Sequence, residues 1–272
     1  MIEVEGFTKM YGDFVAVQDL GFRVESGEVM GLVGPNGAGK TTTLRCLAGV
    51  IPASRGTLRI CGHDLGLDPL PAKQLLAYFP DEPRLFDYLT VWQHLSFTAR
   101  IYQVREYAAA GRHLLEELEL AGKADSLPGE LSRGMKQKLA IACGLLHAPK
   151  VLFFDEPLTG LDPYGIRRMK DTILRLAREG AAIIISSHLL HLVGEICSHL
   201  LILKEGRIVV HGPLQEIRRR FGETSPDSNL EEVFFQATGA NGGAQANGAN
   251  RGNEPTATDR PAADKPGSAP PA

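Results

Sequence analysis

Short, largely apolar runs recur along the chain: 28–33 (EVMGLV), 76–79, 151–154, 181–186 and 199–203. A strand with one wet face alternates apolar and polar. A continuous run is expected of a strand covered on both faces, as in a parallel sheet flanked by helices. Residues 2–8 alternate, and 57–60 and 207–211 read as further strands. Between these runs lie segments with apolar positions every three or four residues: 41–49, stopped by Pro52, then 91–103, 106–120, 132–147, 164–179 and 189–197. Strands interleaved with helices predict an α/β domain built on a mainly parallel sheet. The region 84–148 is almost all helical pattern, which predicts a helical subdomain inserted between core strands. From about residue 238 the pattern stops. The stretch GANGGAQANGANRGNEPTATDRPAADKPGSAPPA holds no apolar side chain larger than Ala. Such a segment cannot bury enough surface to offset chain entropy, so 1–237 is expected to fold and 238–272 to be a disordered tail.

Composition narrows the classes of function. The 272 residues are 43% apolar, enough for a sizeable core, and their net charge of −3 gives no reason to expect a nucleic-acid partner or an anionic surface. Cys46, Cys61, Cys143 and Cys197 are widely spaced with no C-x-x-C pair, which argues against a zinc site or a disulfide framework. The opening residues MIEVEGF lack the layout of a signal peptide, and no apolar run approaches the ~20 residues that span a bilayer. A soluble cytoplasmic chain is expected, reaching a membrane only through a partner.

The chemistry begins at 34–41, GPNGAGKT, which fits G-x-x-x-x-G-K-[ST]. It follows a predicted strand and opens a predicted helix, the context in which backbone N–H groups converge on phosphate oxygens. Gly34, Pro35, Asn36, Gly37, Ala38, Gly39, Lys40, Thr41 and Thr42 are therefore the candidate ATP cradle. Lys40 faces the β- and γ-phosphates, and the Thr41 hydroxyl is offered to Mg²⁺. The strand 151–154 delivers two adjacent carboxylates to its C-terminal end, where open α/β sheets bind ligands. Asp155 is the candidate Mg²⁺ ligand and Glu156 the group that orients or deprotonates water. A third strand, AAIIISSH, brings His188 to the same edge. Alone, an Asp-Glu pair or a His after a strand says little; beside a Walker A motif they point to nucleotide hydrolysis. Ser132, in LSRGM at 131–135, reads first as a helix N-cap, an end that also suits an anion.

Together these motifs resemble the ATP-binding subunits of ABC transporters, from about residue 2 to 236. In that family a signature, usually LSGGQ, precedes the Walker B carboxylates and caps the ATP bound by a second, head-to-tail subunit. The resemblance implies that Ser132 and the Gly134 backbone await a γ-phosphate held by the Lys40 of another subunit. It further implies that Tyr11 stacks on adenine with Val17 beside it, that Asp162 in TGLD joins the dimer, and that His188 is the switch histidine. EGRIVVHGP near 205–213 looks like the family's closing hairpin, and SNLEEVFFQATG at 228–239 like the C-terminal helix of ABC-2-type exporters.

Three residues depart from the usual pattern. Arg133 and Met135 stand where the signature has Gly and Gln, and Asp81, in YFPDEP, stands where a Gln usually touches the metal and senses the membrane domain. A carboxylate is a hard oxygen ligand, so Asp81 is kept as a third candidate metal ligand.

The function expected is an ATPase that dimerises around two ATP, as homo- or heterodimer, and drives an integral-membrane permease, an exporter, from the inner face of the cell membrane. The alternative is a soluble regulatory ATPase of the same superfamily, though one cassette and no long heptad run favour the transporter. A GTPase would need an N-K-x-D motif, which does not occur. The stretch PRLFDYLTVWQHLSF offers Leu85, Phe86, Tyr88 and Trp92 either to a permease or to the subdomain's own core.

Overall fold

The continuous apolar runs form the central layer of an α/β fold, seen in a computed structural model that describes residues 1–159, 161–221 and 230–239. Of the expected tail at 238–272, all but Thr238 and Gly239 lie outside the described residues, as do 222–229 and Gly160 of the TGLD segment; Thr238 is the last residue of a helix.

Strand β1 (Ile2–Tyr11) pairs antiparallel with β2 (Phe14–Val24), and β3 (Val29–Val33) follows in the core sheet. Helix α1 (Lys40–Leu47) leads to β4 (Arg55–Ile60), β5 (His63–Asp64), α2 (Pro69–Gln74) and β6 (Leu76–Phe79). The inserted helices are α3 (Val91–Ile101), α4 (Tyr107–Glu117) and α5 (Arg133–Leu145), with two short 3₁₀ turns between the last two. Strand β7 (Val151–Asp155), α6 (Pro163–Arg178), β8 (Ala182–Ser186), α7 (Leu190–Ile196), β9 (His199–Lys204) and β10 (Arg207–Pro213) complete the core. Helices α8 (Leu214–Arg220) and α9 (Leu230–Thr238) close the described chain.

Two sheets result. The N-terminal one is antiparallel in the order β2-β1-β4-β5; the other runs β10-β9-β3-β8-β7-β6, with only β10 antiparallel to its neighbour. Why the core strands read as unbroken apolar runs is now evident. Leu152, Phe154, Ile183, Ile185, Leu200 and Ile202 pack with the helices on one face. Val151, Phe153, Ala182, Ile184, Leu201 and Leu203 pack toward the N-terminal sheet and α1 on the other. Each Val, Leu, Ile or Phe so buried contributes about 1.5–3 kcal/mol.

The helical insertion is fastened by chemistry visible in its sequence. Thr90 and Gln93 form a reciprocal capping box at the start of α3 and Ser132 caps α5; in the core, Asp162 caps α6 with Pro163 as its first helical residue. Helix α5 lies close on β6. A Cβ on Gly144 would fall 2.3 Å from the Phe79 ring, which stacks on Phe154 with centroids 4.6 Å apart.

Candidate functional site

The parallel pairing of β7 with β8 sets Asp155 opposite Ser186, so the ends of these strands share one edge with the loop between β3 and α1. That loop needs glycine at two points. Gly34 adopts φ 159° and a Cβ there would meet the Leu203 carbonyl at 2.4 Å; Gly39 has φ 101° and would meet the Ala16 carbonyl at 2.8 Å. Side chains at either position would push the loop off the strands that support it. Lys40 opens α1, its Nζ donating to the carbonyls of Gly34 at 2.7 Å and Pro35 at 3.3 Å. Burial pulls its pKa below the usual lysine value, opposed by the charges of Glu156 and Asp155. A half-desolvated ammonium over backbone N–H groups at a helix N-terminus is a phosphate-binding arrangement.

Asp155 is only 4% exposed and surrounded by hydroxyls. Ser186 Oγ donates to its Oδ1 at 2.7 Å, Thr41 Oγ1 donates to the same oxygen at 3.2 Å, and the Tyr78 hydroxyl donates to Oδ2 at 3.2 Å. Burial and the neighbouring Asp155 charge push the Tyr78 phenol up to about 12, which keeps it a donor. Among the described residues no group of three His, Cys, Asp or Glu is placed to hold a metal. Mg²⁺ takes one or two carboxylate or hydroxyl ligands plus phosphate oxygens and water rather than an all-protein cage. Thr41 and Asp155 fit that requirement.

Glu156 departs sharply from its neighbour. Its φ of 52° is left-handed backbone, uncommon outside glycine, and it sends the carboxylate away from Asp155. The Glu156 N–H donates to Ser186 Oγ at 3.0 Å, and Oε2 lies 2.8 Å from His188 Nδ1 and 3.4 Å from the His188 N–H. One hydroxyl, Ser186, thus fixes both carboxylates: it donates to one and accepts from the backbone of the other. Neither Ser186 nor Tyr78 was a candidate from sequence. The signal available was the Ser-Ser-His end of β8, legible only once the β7–β8 register is known.

Other predicted residues make no hydrogen bond to this cluster among the described residues. Tyr11 sits half exposed at the end of β1, with Lys9 Nζ 5.0 Å from its ring centroid. Val17 is buried and lies beneath Gly39 of the phosphate loop, its Cγ2 3.0 Å from where a Cβ on Gly39 would stand. Ser132 is exposed, its Oγ accepting from the Met135 N–H at 3.3 Å. Asp162 accepts from the Gly165 N–H at 2.6 Å. Asp81, two residues past β6, pairs through Oδ1 with Arg133 Nη2 at 3.1 Å. No hydrogen bond among the described residues joins Ser132 or Gly134 to Lys40, Thr41, Asp155 or Glu156.

A cavity of about 860 Å³ adjoins the carboxylates, lined by Thr41, Tyr78, Asp81, Phe86, Phe97 and Asp155 among others. The aromatic stretch beside it divides. Leu85 and Trp92 pack against the core, whereas Phe86 is 54% and Tyr88 92% exposed. His94, buried in α3, accepts from the Phe86 N–H through Nε2 and bonds the Thr90 carbonyl through Nδ1, holding this loop in place.

A Walker-type cradle, a buried carboxylate with hydroxyl partners and a Glu–His pair at one edge of a mainly parallel sheet define a P-loop nucleotide hydrolase. Comparison with known proteins gives the family: residues 17–159 match the ABC transporter family, and the chain belongs to it as an ATP-binding, ATP-hydrolysing subunit. It is 35% identical over 243 residues to the uncharacterized ABC transporter ATP-binding protein YhcH of Bacillus subtilis, covering 87% of this chain and 75% of that one. It is 33% identical over 239 residues to the probable multidrug ABC transporter ATP-binding protein YbhF of Escherichia coli, covering 87% of this chain but 41% of that one. A solved structure of an ATP-binding subunit of an ABC transporter superposes with TM-score 0.82 at 34% identity, over 87% of this chain and 99% of that one.

Proposed function

We propose that two copies of this chain close head to tail on two ATP molecules and drive a separate membrane permease. The observation that carries this reading is a division within one chain. Lys40, Thr41, Asp155, Glu156 and His188 gather at one sheet edge, while Ser132 and Gly134 sit at the N-terminus of α5 with no hydrogen bond to them among the described residues. One chain therefore carries both halves of a composite site, and two copies complete two sites.

In each site, Lys40 and the N–H groups of 34–42 bind the phosphates, with Tyr11 against the base. Thr41 and Asp155, with Asp81 nearby, hold Mg²⁺, which supplies charge neutralisation on the phosphates when bound. Ser132, Gly134 and Asp162 of the second copy complete the enclosure. Glu156 accepts a proton from water, and His188 fixes the Glu156 carboxylate and reaches toward the γ-phosphate. Such chemistry relies on positioning and electrostatics rather than covalent intermediates.

The permease takes the cavity beside Asp81, with Phe86 and Tyr88 as anchors. The likeness to YbhF, a probable multidrug ABC transporter ATP-binding protein, supports export as the direction. No helix among the described residues is long and apolar enough to cross a membrane, consistent with a subunit held at the inner face through its partner. Purified Glu156→Gln chain is expected to pass from monomer to dimer on addition of ATP and Mg²⁺, followed by light scattering, and to stay monomeric when Ser132→Arg is added. An ATP-bound chain that remains monomeric contradicts the reading.

A further inference from the structure

Two charged residues stand at positions where the signature and the metal-sensing segment usually carry uncharged ones, and they are partners. Arg133 Nη2 donates to Asp81 Oδ1 at 3.1 Å. Each sits in a telling place. Arg133 lies between Ser132 and Gly134 as the first residue of α5. A cation there opposes the helix dipole, and the Asp81 carboxylate offsets it. Asp81 follows β6, whose pairing with β7 sets Phe79 opposite Phe154, so it lies at the sheet edge where Asp155 ends its strand. It lines the same cavity as Thr41 and Asp155. Both side chains are about half exposed, so the pair is weak enough to exchange partners without cost to the fold.

We propose that Asp81 is shared between the metal of its own ATP site and the Arg133 of its own signature, so that Arg133 is a positioning residue linking the two sites of the dimer. A divalent cation is drawn to the Asp81 carboxylate as a hard oxygen ligand and repels a guanidinium on the same group. Metal and nucleotide arriving in one site release Arg133, and with it the N-terminus of α5 that closes on the other copy's ATP. By linkage, Arg133 held on Asp81 weakens metal binding to the same degree. The proposal rests on the shared-site reading above.

The test uses Mg²⁺ itself and a readout other than turnover: the Mg²⁺ concentration needed for half-maximal ATP-driven dimerisation of the Glu156→Gln chain, by light scattering. Adding Arg133→Gln is expected to lower that concentration about two- to five-fold, the range an exposed ion pair supplies. In a chain already carrying Asp81→Asn, Arg133→Gln should shift nothing, and Arg133→Lys should keep the parent value. An unchanged midpoint in Arg133→Gln overturns the proposal. So does an equal shift with Asp81→Asn present, which would reveal only the general field of a lost cation. A Glu156→Gln chain that never dimerises overturns the shared-site reading and this proposal together; the other two results overturn the proposal alone.

Discussion

Glu156 and Ser186 show how closely the chemistry depends on single side chains. Glu156→Gln keeps the shape of the pair with His188 but removes the proton acceptor, so phosphate release should fall about 10²–10⁴-fold while ATP binding persists. Wild-type turnover in that variant would remove Glu156 from the role. Ser186→Ala takes one hydroxyl from Asp155 and an acceptor from the Glu156 N–H, in a buried setting. It should cost about 1–3 kcal/mol, read as a lowered midpoint in thermal denaturation. The two residues differ in legibility. Lys40, Asp155 and Glu156 stand in motifs whose spacing carries their chemistry, whereas Ser186 and Tyr78 matter through strand neighbours that spacing does not reveal.

At the scale of elements, the junction of α5 with β6 is tight enough to test. Gly144→Ala would drive a methyl into Phe79 and disturb its stack on Phe154. Overpacking of this kind costs typically about 1–3 kcal/mol, which chemical denaturation would measure as a lower midpoint at unchanged slope. Nearby, His147 stacks on Tyr102 with centroids 3.8 Å apart, and burial pulls its pKa below 6.5 against a bond to the Leu76 carbonyl. The native ring stays neutral while the unfolded ring takes a proton, so stability falls as pH drops through 6.5. His147→Phe should flatten the loss of thermal stability between about pH 7 and about pH 5. A residual slope is expected, because burial lowers the His211 pKa in the same direction.

Most elements were legible, and those that were not have physical reasons. Strand β2 was missed because register shifts in its pairing with β1 break the alternation, with Asp19 at φ 52° among them. Helix α2 spans six residues with Pro69 and Pro71 in it, too short to show a helical period. Helix α8, seven residues entered from Pro213, is as brief. The stretch from Leu85 to Trp92 reads two ways because its apolar residues divide: Leu85 and Trp92 pack against the core, whereas Phe86 and Tyr88 are exposed.

At the scale of the whole molecule, no hydrogen bond among the described residues joins Ser132 or Gly134 to Lys40, Thr41 or Asp155, and family resemblance points to a second copy as their partner. If Phe86 and Tyr88 anchor the permease, replacing both by Ala should abolish co-purification with it while leaving ATP binding intact. The central claim, that each ATP is held between two copies, is tested most directly by mixing two inactive chains. Lys40→Ala lacks a working cradle, and Ser132→Arg lacks a working signature. Either alone builds only broken sites. In a mixed dimer, the Lys40 of the second chain meets the Ser132 of the first, and one site of two is whole. With random pairing in a two-fold dimer, the mixture should recover roughly a quarter of wild-type ATP hydrolysis. A mixture as inactive as its separate components would contradict the shared site.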